Sequence, residues 1–214
     1  QSESGVFCVK THCRKDDGKS AQRGKNTVEH NGKNTSFFHN KVIAAFFCSY
    51  SRLRQHHIIS AYMNIVIFGG SFNPVHREHV ALAKAAVKKF KPQKFIIVPT
   101  SVSPHKSGTF IAPAEDRLEM CRLAFSDIPC AEVSDYEIAS GGASYSYITC
   151  EHFRSLYPQA ELYFLMGGDM LASFPSWKNP ERILACVTLA AGARESMGEL
   201  KKSRSEVERT FCVK

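Results

Sequence analysis

The stretch that most constrains the fold is an apolar, β-branched run, Asn64-Ile-Val-Ile-Phe68. It stops at Gly69-Gly70 and is followed by Ser71-Phe-Asn-Pro-Val-His-Arg-Glu-His79. A short strand, a tight turn and a helix account for this order of residue types. Asn73 is the expected N-cap and Pro74 the first helical residue, where a missing N–H costs nothing. His76 and His79 then lie three apart on one face of the first turns. Free backbone donors, the positive end of the helix dipole and two imidazoles converge there, which makes a phosphate site.

The chain continues as alternating strands and helices. Val80, Ala83 and Val87 form one apolar row and Leu82, Ala86 and Phe90 a second, with Lys84, Lys88 and Lys89 opposite, so a helix lies on a sheet and ends at Pro92. Lys94-Phe-Ile-Ile-Val98 reads as a buried parallel strand, followed by the loop Pro99 to Lys106 at its ligand-binding rim. A second helix runs from Ala114 through Leu118, Cys121 and Phe125, and a weak strand is expected around Ala131–Ile138. The loop Ala139–Tyr147 leads into a third helix ending near Tyr157-Pro158. Leu162–Met166 is a strand that runs straight into Gly167-Gly-Asp169, and Asn179-Pro180 repeats the N-cap signal before a strand at Val187–Ala190. Arg194 to Arg209 is helix-compatible, and Thr210-Phe-Cys-Val-Lys214 reads as the start of another strand. The alternation predicts an α/β fold with a doubly wound, mostly parallel sheet.

Charge and cysteine usage narrow the class. The chain of 214 residues carries a net charge of +8. Residues 1–62 hold 10 Lys/Arg and 4 Asp/Glu, a net of 10 − 4 = +6, which leaves 8 − 6 = +2 for 63–214. The folded part therefore has no charge excess that points to specific nucleic-acid binding. Residues 1–62 lack either structural period and precede Met63, so they are expected to be a disordered or non-native extension, with 63–214 the domain. The apolar run Val42–Tyr50 is too short to span a bilayer, and no membrane partner is expected. Eight cysteines show no Cys-x-x-Cys pair and no zinc spacing, which suits a reduced, cytoplasmic protein without a protein-held metal.

Gly69-Gly-Ser-Phe-Asn-Pro-Val-His-Arg-Glu-His79 resembles the G-x-F-x-P-x-H-x-G-H signature of the nucleotidyltransferase superfamily, with Glu78 where the signature has glycine. The Ser103-Pro-His-Lys106 loop, Ser144–Tyr147 and Gly167-Gly-Asp169 followed by Trp177 are similar to bacterial nicotinate-nucleotide adenylyltransferases. The resemblance covers roughly Met63 to Arg194 and implies a Rossmann-like fold. It further implies transfer of AMP from ATP to nicotinate mononucleotide, with Mg²⁺ riding on the triphosphate. By the same resemblance His76 and His79 are catalytic, and Gly69, Gly70, Ser71, the Phe72 amide and Lys106 bind ATP phosphates. Tyr145, Ser146, Thr149, Gly168, Asp169 and Trp177 are implied for the nicotinate nucleotide. Asp169 equally suits a helix N-cap, and Trp177 an anchor against the Pro175 turn. The family's C-terminal Ser-Ser/Thr-x-x-Arg motif has no match after Arg194, so a missing C-terminal segment is expected. Nicotinamide mononucleotide or phosphopantetheine as acceptor, an inactive nucleotide-binding fragment, and homo-oligomerisation all stay open.

Overall fold

The computed structural model describes residues 6–9, 63–102, 110–192 and 197–212. In chain order the elements are β1 (Val6–Val9), β2 (Asn64–Gly70), α1 (Arg77–Phe90), β3 (Lys94–Pro99), α2 (Ala114–Ala124), β4 (Ala131–Val133), α3 (Tyr136–Ser140) and α4 (Ser146–Leu156). They are followed by β5 (Glu161–Gly167), α5 (Gly168–Ser173), a 3₁₀ turn (Phe174–Ser176), α6 (Pro180–Cys186), β6 (Thr188–Gly192) and α7 (Met197–Phe211).

The strands form one sheet in the order β1-β6-β5-β2-β3-β4. From β2 onward every pairing is parallel, and β1 alone runs antiparallel, against β6. Side chains alternate across the sheet. Ile65, Ile67, Ile96, Val98, Phe164 and Met166 face a core with α4, α5, α6 and α7, while Val66, Phe68, Phe95, Ile97 and Leu165 face α1 and α2. Helices on both faces explain why Ile65–Phe68 is apolar throughout rather than alternating. The expected doubly wound, mostly parallel sheet is what forms.

The topology locates a crevice. From β2 the chain builds outward through β3 and β4 on one side, and β5 and β6 lie on the other. The switch point is therefore between β2 and β5, where ligands enter doubly wound sheets beyond the carboxyl ends of the strands. Those ends are Gly69-Gly70 and Gly167.

Four expectations change. Helix α1 begins at Arg77 with His76 as N-cap, not at Pro74. The Asn73 side chain does not cap it: Nδ2 donates to the Phe110 carbonyl at 2.8 Å and Oδ1 accepts from the Ala112 N–H at 3.0 Å. The strand near Ala131 spans only Ala131–Val133, and Tyr136–Ser140 turns into α3. Thr210 and Phe211 continue α7, because Phe211 follows Leu200 and Val207 on its apolar face and packs 5.8 Å from Phe174. Finally, Val6–Val9, inside the expected extension, pairs with β6 as a strand of the sheet. Val6 is buried, and its carbonyl accepts from Lys89 Nζ.

Candidate functional site

β2 delivers the turn, and packing explains its glycines. A Cβ on Gly69 would stand 3.1 Å from the Phe164 ring of neighbouring β5, and one on Gly70 would stand 3.2 Å from the ring of Phe72. Phe72 takes a left-handed backbone, φ 43°, and turns its ring inward, where it is 1% exposed against Phe68, Phe125 and His79. Its side chain is thus a core group.

The two histidines come together at the end of this turn. Their rings stack at 3.7 Å with 27° between planes, and the His76 N–H donates to His79 Nδ1 at 3.2 Å. With Nδ1 accepting, Nε2 carries the ring proton of His79. His79 is further held by Phe72, 5.0 Å away between ring centroids, while His76 and Glu78 are exposed. Glu78, the departure from the signature, therefore stands at the surface.

Nothing in the local sequence pattern marks Arg117, yet it organises the rim. It lies in the first turn of α2 and is 1% exposed. Nη1 donates to the carbonyls of Ser71 at 2.9 Å and Thr100 at 2.7 Å, Nη2 to Ser101 at 3.3 Å and Nε to Ala112 at 3.0 Å. One side chain thereby joins the exits of β2 and β3 to the start of α2. Burial pushes its pKa down from the ordinary arginine value, and the carbonyls replace the lost water. In the sequence it reads as one arginine beside the Leu118, Cys121, Phe125 row, and its four acceptors lie on other segments. Lys106 lies outside the described residues.

The second half of the rim is built from α4, β5 and the segment before α6. Ser101 N–H donates to Ser144 Oγ at 2.8 Å and Ser144 N–H to the Val102 carbonyl at 2.9 Å, which docks the loop before α4 on the exit of β3. Tyr145 and Ser146 follow at the helix start, half-buried. Thr149 differs from expectation. It is 1% exposed and its hydroxyl donates to Glu137 Oε1, so it supports the helix from inside rather than facing a ligand. Glu137 is itself buried, Oε2 lacks a hydrogen-bond partner among the described residues, and burial pushes its pKa up against the pull of Thr149 and Ser144.

At the end of β5, Gly168 opens α5 and Asp169 is exposed in its first turn. The N-cap is Gly167, so Asp169 is not the cap; its Oδ1 lies 2.3 Å from where a Gly167 Cβ would be. Trp177 is half-buried, edge-on to Phe164 at 6.2 Å and tilted on Phe174 at 5.5 Å, and its indole N–H donates to Ser173 Oγ at 3.3 Å. Phe164 thus touches both Gly69 and Trp177 and links the two halves. Among the described residues no group of three or more His, Cys, Asp or Glu side chains could hold a metal ion, and no helix is long and apolar enough to cross a membrane.

This geometry agrees with the comparisons to known proteins. The cytidylyltransferase-like family model matches residues 67–210. The chain belongs to this nucleotidyltransferase family. Relatives bearing the name nicotinate-nucleotide adenylyltransferase include one from Endomicrobium trichonymphae, 36% identical over 149 residues, covering 70% of this chain and 76% of the relative. Another, from Clostridium tetani, is 35% identical over 147 residues, 68% of this chain and 74% of the relative. The solved structure of a Vibrio parahaemolyticus protein assigned as nicotinate-nucleotide adenylyltransferase superimposes with a TM-score of 0.52 at 19% identity, covering 69% of this chain and 93% of its own. That last likeness bears on the fold alone.

Proposed function

We propose that this chain transfers the adenylyl group of ATP to the 5′-phosphate of nicotinate mononucleotide, giving nicotinate adenine dinucleotide and pyrophosphate. A phosphate oxygen of the mononucleotide attacks the α-phosphorus. The new O–P bond forms as the bond to the α–β bridging oxygen breaks, and that electron pair leaves on pyrophosphate. The observation that carries this reading is the stacked His76–His79 pair at the exit of β2, beside the switch-point crevice.

In this reading Nε2 of His79 and the exposed ring of His76 donate to phosphoryl oxygens, where charge develops as pyrophosphate departs. Gly69 and Gly70 allow the backbone to approach the nucleotide, and Ser71 with the Phe72 amide faces phosphate. Lys106 contributes a further positive charge over the phosphates. Tyr145 and Ser146 at the start of α4 receive the nicotinate carboxylate, Trp177 stacks on the ring, and Gly168 and Asp169 lie by a ribose or the bridging phosphates. In this reading Mg²⁺ would ride on the triphosphate and supply neutralisation of phosphate charge. Everything else in the chemistry is positioning and electrostatics.

The test is an acceptor panel. With ATP and Mg²⁺ present, nicotinate mononucleotide is expected to yield the dinucleotide by mass spectrometry. Turnover with phosphopantetheine in preference would overturn the choice of acceptor.

A further inference from the structure

Beside the proposed pyridine site, two tyrosines at the start of α4 are each topped by a cation from the segment that opens α6. Arg182 lies 4.4 Å from the Tyr147 ring centroid, and Lys178 Nζ lies 4.2 Å from that of Tyr145. The two cations differ in what else they touch. Arg182 is held by both carboxylate oxygens of Glu151, at 2.7 Å each, so its charge is compensated. Lys178 forms no ion pair among the described residues and is exposed, directly after Trp177. Its neighbour is firmly seated, since Trp177 N–H donates to the Phe174 carbonyl at 3.0 Å and the indole packs on Phe164 and Phe174. A cation–π contact holds an ammonium near a ring without cancelling its charge. Lys178 is therefore a positive charge with no ion pair among the described residues, held over Tyr145 at the positive end of the α4 dipole and next in sequence to Trp177.

We propose that Lys178 is a specificity-determining residue that selects a pyridine mononucleotide bearing a ring carboxylate over the neutral carboxamide. This rests on the placement of the pyridine at Trp177 proposed above. The two nucleotides have nearly the same shape, so stacking on Trp177 cannot separate them. A point charge at the rim attracts the carboxylate and offers the amide little, which makes discrimination electrostatic.

Trp177 is the only tryptophan in the chain, so its fluorescence reports binding without requiring turnover. The full chain and its Lys178→Met and Lys178→Arg variants are titrated with nicotinate mononucleotide and with nicotinamide mononucleotide, with calorimetry as a second readout. Wild type is expected to favour the acid. Lys178→Met should weaken acid binding roughly fivefold, the scale of a solvent-exposed ion pair, and leave amide binding unchanged. Lys178→Arg should keep the preference, and added salt should shrink it. An acid-to-amide ratio in Lys178→Met equal to that of wild type overturns the assignment, as does an equal loss for both nucleotides. Binding of neither nucleotide to wild type overturns the pyridine-site reading, and the lysine assignment with it.

Discussion

Replacing Arg117 with methionine keeps much of the apolar stem and deletes every donor. Four carbonyls, those of Ser71, Thr100, Ser101 and Ala112, then lose their partner at once. A buried acceptor left unsatisfied costs about 1–3 kcal/mol. The four losses do not add, because they share one side chain and the loop ends can turn toward water. Relief of the guanidinium's own burial offsets part of the loss. A net of about 3 kcal/mol follows, or roughly 6–12 °C in melting temperature for a chain of this size. Lysine retains the charge but not the fork that reaches several carbonyls, so Arg117→Lys should lose about half as much. The assay is thermal melting with urea titration as a check. Because Arg117 ties the exits of β2 and β3 together at the turn proposed to bind phosphate, KM for ATP should also rise in Arg117→Lys well below its melting temperature. A methionine variant that melts within about 2 °C of wild type would show that these four bonds do not hold the rim together.

Two further outcomes follow from buried ionisable groups. Burial raises the Glu137 pKa above its ordinary 4.5, so the folded state binds more protons and wild-type stability falls as pH rises through that window. Glu137→Gln abolishes this slope, and the stability difference, variant minus wild type, should grow as pH rises above 4.5; a flat difference would contradict it. Burial pushes the Cys121 thiol up to about 12, and Cys150 is also fully buried, whereas Cys212 is exposed. Thiol labelling of the folded chain at pH 8, mapped by mass spectrometry, should modify Cys212 and spare Cys121 and Cys150.

What could be read from the sequence was what depends on nearby residues. The run Ile65–Phe68 ending at two glycines specifies a buried strand and a turn, and Asn179-Pro180 gives the start of α6 as observed. The start of α1 was misplaced because Asn73 spends its side chain on Phe110 and Ala112, far along the chain. Arg117 was invisible for the same reason, since its role is defined by carbonyls on other segments. Thr149 looked like a ligand contact from its place in the motif, and only its contact with Glu137 shows that it faces inward. Short elements such as β4 and α3 are decided by tertiary packing, which local pattern does not encode.

Adenylyl transfer at the turn of Gly69 and the histidine pair beyond it is the activity proposed for this chain. It is tested most directly by the initial rate of dinucleotide formation in wild type and in His79→Asn, with thermal melting alongside. Nε2 of His79 as a donor to the transition state predicts a fall in kcat on the order of 100-fold or more, with a much smaller change in KM. A variant within threefold of wild type, or a wild-type chain that forms no dinucleotide from ATP and nicotinate mononucleotide, would contradict the account.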